Sequence, residues 1–230
     1  MAIIPKSEFL SFLTSIANEN NGDRLPSLAA MSAEMGISVA SLREQMEVAR
    51  AMGLIDAKPK TGIRLLPYQF GPAVTQSLTF GVSINPALFH QYYDLRKKLE
   101  AAYWYEAVER LTSQDIDELS RLLNLAENKL KLSPIQIPHE EHKKFHLTIY
   151  RRLDNLFVQG LLESYWDLYD TVGFGQYNDE EYIKRVWQYH RKIVEAIRAG
   201  DFEVGYRILR EHMALLFQRN NFQRPSHLFE

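Results

Sequence analysis

Four histidines in the C-terminal half combine a residue type and a spacing that can do chemistry: His142 and His146 in EEHKKFHLTIY, His190 in WQYHRKIVEAI, and His212 in LREHMALLF. Imidazole is the commonest biological metal ligand, and an i,i+4 pair on a helix overshoots a full revolution by only ~40°, so both rings can point at one ion. His190 and His212 lie in two further amphipathic segments joined by the break Ala199-Gly200-Asp201, as expected of antiparallel neighbours whose inward faces meet. The pattern predicts a buried histidine site in a helical bundle, with four separately packed core rings as the alternative. His90, His139 and His227 read as solvent-facing residues of loops or a terminus, although His139 precedes His142 by three residues and is a candidate outer neighbour.

The elements that must position these rings come from the rest of the chain. At 230 residues, with 46% hydrophobic and 24% charged side chains, the sequence can bury a core in one large or two small domains. The absence of cysteine excludes disulfides, thiolate metal sites and cysteine nucleophiles, and suits a cytoplasmic protein. Neither a secretory leader nor an apolar run long enough to span a membrane is expected. The net charge of −2 gives no global basic excess, so any contact with nucleic acid must be local.

A change of texture falls at LLPYQFGPAVTQSLTFGVSINP, where Pro67, Gly71, Pro72, Gly81 and Pro86 interrupt a stretch with little helical periodicity, so residues 68–86 read as a linker. This divides the chain into residues 1–67, the linker, and residues 87–224. In the first part, residues 5–20 carry Phe9, Phe12, Leu13 and Ile16 on one helical face. Ser27 is placed to cap a second helix ending at Gly36, and Ser38 a third running through Ala51 and stopped by Gly53. LIDAKPKTGIRLL alternates as two short strands around Pro59-Lys60-Thr61-Gly62. Helix, helix, tight turn, helix and hairpin is a winged helix-turn-helix. In such a unit the third helix enters the major groove, so Ser38, Ser41 and Arg43 on that helix, with Lys58, Lys60 and Arg64 on the wing, are the candidate DNA contacts. Ordinary solvated side chains are the alternative at each position.

The stretch DRLPSLAAMSAEMGISVASLREQMEVARAMGLIDAKPKTGIRLL resembles the DNA-binding domain of GntR-type bacterial transcription regulators over roughly residues 24–66. It does so through leucine-proline-serine, the glycine turn, the leucine-arginine-glutamate of the recognition helix, the glycine-leucine-isoleucine before the wing and the wing glycine. Beyond the linker, YYDLRKKLEAAYWYEAVERLT, KKFHLTIYRRLDN and YHRKIVEAIRAGDFEVGYRILREHM are similar to the all-helical FCD effector domain found in one subfamily. The resemblance implies a mainly α protein, a winged helix-turn-helix followed by an antiparallel bundle that dimerises and binds a divalent transition metal, zinc or nickel. Carried over residue by residue, the metal would be held by His146, His190 and His212, with His142 standing where the family has an aspartate one turn earlier. That departure leaves no protein anion in the inner shell; four neutral imidazoles favour zinc, nickel or copper over magnesium, calcium or manganese. A site of three histidines with His142 turned away is the weaker version.

A second departure concerns DNA. Where the family carries a glutamate-arginine pair and an arginine early in the recognition helix, this chain has Leu28-Ala29 and Val39. Over residues 1–66 the cations Lys6, Arg24, Arg43, Arg50, Lys58, Lys60 and Arg64 are matched one for one by Glu8, Glu19, Asp23, Glu34, Glu44, Glu47 and Asp56. Weak, salt-sensitive binding by one subunit, and reliance on a homodimer bridging two half-sites of operator DNA, are expected. Arg96 is the candidate contact for a small carboxylate effector, against the plainer expectation of an i,i+4 ion pair with Glu100. The resulting reading is a ligand-responsive transcription regulator that is not an enzyme. The alternatives are a metal-dependent enzyme, disfavoured because no HExxH motif supplies a general base, and a helical protein-interaction module without DNA binding.

Overall fold

A computed structural model describes residues 7–19, 23–58, 62–171 and 179–215, and the chain folds as two compact units, Met1–Ser77 and Leu78–Glu230. Eleven helices and one two-stranded sheet are present among the described residues. None of those helices is long and apolar enough to cross a membrane.

In the first unit α1 spans Glu8–Glu19, α2 Leu28–Met35 and α3 Val39–Ala51, followed by β1 Ile55–Lys58 and β2 Gly62–Leu65. Both expected caps form: Ser27 Oγ accepts from the Ala30 N–H at 3.2 Å and Ser38 Oγ from the Ser41 N–H at 3.1 Å. Each satisfies one of the backbone donors that a helix start leaves unpaired. Gly36 closes α2 in the left-handed region at φ 67°, which turns the chain sharply into α3. The strands are antiparallel, with Ile55 opposite Leu65 and Lys58 opposite Gly62. The segment before α2 runs along β2, through Leu25 N–H to Ile63 O at 2.9 Å and an isolated bridge between Arg24 and Arg64. Phe9, Leu13, Leu25, Met31, Leu42, Met46, Ala49 and Ile55 form one buried core that fixes the angle between α2 and α3. Gln45 ties α3 to the start of α1, its Oε1 accepting from Ser7 Oγ at 2.8 Å and from the Phe9 N–H at 3.0 Å. Gly53 has φ 72°, and a Cβ built there would lie 2.7 Å from Cγ of Pro72, so conformation and space both require glycine.

The segment read as a linker is largely helical: α4 spans Gly71–Ile84, and the division between the units falls inside it. Its breakers are placed where a helix tolerates them. Pro72 occupies the first turn, where its missing N–H costs nothing. Gly81 stands in the last turn, where the helix-propensity penalty of about 1 kcal/mol is outweighed by the neighbouring Val82, which is buried.

The second unit contains α5 Leu88–Ala102, α6 Trp104–Glu109, α7 Ser113–Leu130, α8 His139–Tyr150, α9 Leu156–Thr171, α10 Glu180–Ala199 and α11 Phe202–Ala214. Each helix buries an i,i+3,i+4 stripe. On α7 it is Leu119, Leu122, Leu123, Ala126 and Leu130, and on α10 it is Ile183, Val186, Trp187, His190, Ile193, Val194 and Ile197. Each large apolar side chain so buried contributes roughly 1.5–3 kcal/mol. α10 packs on α7 and α11, α8 packs on α7, α9 and α6, and α5 packs on α9 and α11. Gly200 ends α10 and Asp201 caps α11 by accepting from the Val204 N–H at 3.1 Å, so the two helices fold back on one another as their short junction predicts. Thr112 and Asp115 form a capping box at the start of α7.

Candidate functional site

The four histidines arrive on three helices: His142 and His146 on α8, His190 on α10 and His212 on α11. His190 and His212 take up positions in apolar stripes that a leucine would otherwise fill. Four ligand atoms, one from each of the four residues, lie within 4.8 Å of one another. Three of them form a nearly equilateral triangle: His146 Nε2 to His190 Nε2 is 3.3 Å, His190 Nε2 to His212 Nε2 is 3.2 Å, and His212 Nε2 to His146 Nε2 is 3.3 Å. His142 is half-buried as a residue, but its Nε2 is enclosed and has no hydrogen-bond partner. Its ring lies 4.9 Å from that of His190 and 5.2 Å from that of His146.

Burial dominates the electrostatics. Desolvation holds all four imidazoles well below their ordinary pKa of 6.5; the Arg96 guanidinium pushes each the same way, as do neighbouring rings on His142, His190 and His212, with Glu100 opposing on His212. At neutral pH the rings are therefore uncharged, the form in which imidazole binds a metal.

His146 has a second contact that bears on its tautomer, since on Nδ1 the Glu100 carboxylate can only accept and the Arg96 guanidinium can only donate. Its Nδ1 lies 3.1 Å from Glu100 Oε2 and 3.1 Å from Arg96 Nη2. A proton on Nδ1 donates to the carboxylate and leaves the Nε2 lone pair facing the triangle; a proton on Nε2 would instead occupy the triangle. The first arrangement is the carboxylate-histidine pairing that orients metal ligands. Glu100 is fully buried on α5, and its other oxygen accepts from Arg96 Nε at 2.6 Å. The Tyr150 hydroxyl fixes the same turn by donating to the Glu100 carbonyl at 2.9 Å. In contrast, Nδ1 of His190 and of His212 is buried without a partner.

Reading the sequence pairs Glu100 with Arg96 but does not find its bond to His146. The signal for its burial was available: Phe89, Tyr92, Tyr93, Arg96 and Glu100 fall on one helical stripe, and all are buried. Arg96 itself is committed. Its guanidinium carbon lies 4.6 Å from the centroids of both the Tyr165 and the Trp166 rings, and the ion pair to Glu100 is the plainer of the two outcomes the spacing allowed. Two other expectations are corrected. His90 lies within α5 and His139 opens α8, both half-buried rather than solvent-facing in loops; His227 lies outside the described residues. A surface cavity of about 650 Å³ between α5 and α11, lined by Asp94, Lys97, Lys98, Tyr206, Arg210 and Met213 among others, touches none of the four histidines.

In the winged unit, Arg43 projects from the exposed face of α3 and has no ion-pair partner among the described residues. Ser38 is spent partly on its cap and Ser41 is half-buried one turn on. Lys58 pairs with Asp56 at 2.7 Å and Arg64 with Asp23 at 2.6 Å, while Lys60 lies outside the described residues. Part of the charge balance of the sequence is thus realised as local pairs, worth little to stability but offsetting Lys58 and Arg64.

Comparison with known proteins settles the family. The FCD domain matches residues 91–215, more than half of the chain. The chain belongs to the FCD family of GntR-type transcription regulators. This FCD protein is 23% identical over 189 residues to the HTH-type transcriptional regulator LutR of Bacillus subtilis, covering 78% of this chain and 83% of that one. It is 26% identical over 200 residues to the Glc operon transcriptional activator of Escherichia coli K12, covering 84% of this chain and 78% of the relative. In fold it resembles a GntR protein of Streptococcus agalactiae, with a TM-score of 0.65 and 15% identity over 90% of this chain and 95% of the other. The expected order of winged helix-turn-helix and all-α FCD bundle holds along the FCD protein, and its relatives are regulators rather than enzymes.

Proposed function

We propose that this FCD regulator binds operator DNA through its winged unit, and that its helical unit holds one transition metal ion and a small carboxylate effector that together set DNA affinity. Residues 1–67 form the reading head in this scheme, residues 68–86 join the parts, and residues 87–224 carry the ligand sites and the homodimer contact.

The observation that carries the reading is the triangle of imidazole nitrogens, with edges of 3.2–3.3 Å. With the Nδ1 atoms carrying the protons, three buried lone pairs converge with no protein donor between them, an arrangement that a cation stabilises. With metal–nitrogen bonds of about 2.0–2.1 Å, a tetrahedron has edges of about 3.3–3.4 Å, whereas neighbouring ligands of an octahedron stand about 3.0 Å apart. The three edges suit zinc or nickel, with His146, His190 and His212 as one face of the site and His142, whose ligand atom stands farther off within the 4.8 Å spread of the four, as the fourth donor once it closes on the ion. When bound, such an ion supplies a positive point that attracts an anionic ligand in a low-dielectric interior.

The chain's own residues do the rest. Glu100 holds His146 in the ligating tautomer, and Arg96, lying against the Tyr165 and Trp166 rings and paired with Glu100, keeps beside the histidines a positive charge that proton loss cannot neutralise and that would attract the carboxylate of an effector. A ligand preferring one arrangement of the bundle shifts DNA affinity by no more than that preference, typically ~1–3 kcal/mol. The test is fluorescence anisotropy with the DNA upstream of the protein's own gene, using the zinc-loaded full chain, the chelated chain and His146→Ala, each with and without a panel of small mono- and dicarboxylic acids. The reading predicts acid-dependent DNA affinity in the loaded chain alone. Identical isotherms in all three proteins would refute it.

A further inference from the structure

The recognition helix of the winged unit has an unusual exposed surface. At its N-terminal end, the part of such a helix that reaches base edges, the exposed side chains are Val39, Ala40, Arg43 and Glu44. Val39 is 36% exposed, a level at which a β-branched apolar side chain in a first turn contributes little to the core. Val39 and Arg43 are four residues apart and share one stripe of the helix, with Ala40 beside them. Farther along that stripe stands the anion Glu47, which accepts from Arg50 at 2.7 Å. The wing cations Lys58 and Arg64 are likewise held by Asp56 and Asp23. With seven cations matched by seven anions over residues 1–66, non-specific attraction to phosphate is small, and discrimination has to come from the few groups that face the bases.

Each of those groups has one best partner in a major groove. The only apolar feature there is the C5 methyl of thymine; a guanidinium bonds guanine through O6 and N7. We infer that this regulator reads a half-site through a single guanine, held by Arg43, and through adjacent thymine methyl groups packed against Val39 and Ala40. Glu44, at the edge of the same surface, accepts from the N4 amino group of a cytosine and repels a phosphate placed near it, which fixes the helix in register. The inference rests on the DNA-binding reading above and adds to it the base content of the operator.

The experiment is a selection of full-length protein against random-sequence duplex DNA, followed by competition with the enriched half-site in which individual thymines are replaced by deoxyuridine. That replacement removes one methyl and keeps every hydrogen-bonding group. The expected result is enrichment of thymine beside one guanine, and a loss of about fourfold in affinity per deoxyuridine at the contacted position, the factor that corresponds to roughly 0.8 kcal/mol per buried methyl-sized group. Val39→Ser, a change on the exposed face that leaves the core intact, should bind thymine and deoxyuridine duplexes equally. Enriched sites that lack thymine next to the guanine, or equal affinity of the unaltered protein for both duplexes, would overturn the inference while leaving DNA binding in place. Selection of no sequence at all would overturn the DNA-binding reading and the inference with it.

Discussion

Acidification should dismantle the helical unit of the metal-free protein at an unusually mild pH. His142, His146, His190 and His212 are all held well below 6.5, primarily by desolvation, so the folded state stays unprotonated where the unfolded chain already binds protons. A depressed folded pKa contributes stability that is fully present above the unfolded value near 6.5 and is lost as pH falls below it. At pH 5.5, one unit lower, each such histidine costs about 1.4 kcal/mol, and four together about 5–6 kcal/mol. That is comparable to the whole stability of an ordinary domain, roughly 5–15 kcal/mol. Trp104, Trp166 and Trp187 are the only tryptophans in the chain, and all three are buried in the helical unit, so their fluorescence reports that unit alone. Urea unfolding of chelated protein at pH 7.5, 6.5 and 5.5 should show a midpoint falling by about 2 M between pH 7.5 and 5.5, most of it over the last unit, at a slope of about 2–3 kcal/mol per molar. His212→Gln should weaken the pH dependence by about a quarter. A midpoint indifferent to pH between 7.5 and 5.5 would show that the rings are solvated or already charged, and would refute the argument from burial.

Other outcomes follow from particular contacts. Glu100→Gln, which keeps an acceptor for Arg96 but weakens the hold on His146 Nδ1, should lower zinc affinity about 10- to 100-fold in a chelator competition, and should also lower the unfolding midpoint of the chelated protein because the buried guanidinium loses its counter-charge. Asp115→Ala removes the cap of α7 together with the bonds from Arg151 and Arg152, and should cost about 2–3 kcal/mol in urea unfolding, since the two arginines remain partly solvated. Burial pushes the Asp115 carboxyl up, but hydrogen bonds from Arg152, Thr112 and Arg151 outweigh it and hold the group well below the usual carboxylate range. Its stabilising contribution is therefore present above about pH 4 and disappears only as pH falls further. Gly53→Ala, at φ 72° and with Pro72 Cγ 2.7 Å from the new methyl, should destabilise the winged unit by about 2 kcal/mol or more, read as faster amide hydrogen exchange in α3.

Much of this molecule is legible in its sequence because local signals agree with tertiary ones. Ser27 and Ser38 announce two helix starts, Gly36 and Gly53 two stops, and the alternation around Gly62 a hairpin; each is a backbone requirement that only a few residue types meet. The convergence of His142, His146, His190 and His212 is legible for another reason, since periodicity places each on a buried stripe and the Gly200-Asp201 junction forces two of those stripes to meet. Helix α4 was hidden by its own composition, because Pro72 and Gly81 read as breakers until their positions near the helix ends are known. The bond between Glu100 and His146 was hidden by distance along the chain: nothing local to either residue states that α5 and α8 bring them together. Likewise, the neutrality of the winged unit is visible as a count, but which acid quenches which base depends on side-chain reach across Asp23 to Arg64 and Asp56 to Lys58.

The most direct test of the central claim is the metal content of the full chain without an affinity tag, loaded with zinc, desalted and analysed for bound metal against protein concentration. One ion per chain, retained by the unaltered protein and lost when His146, His190 and His212 are all replaced by glutamine with the helical fold preserved by circular dichroism, is the predicted result. A protein that retains no stoichiometric metal after loading, or binds equally well without those three rings, would contradict the account.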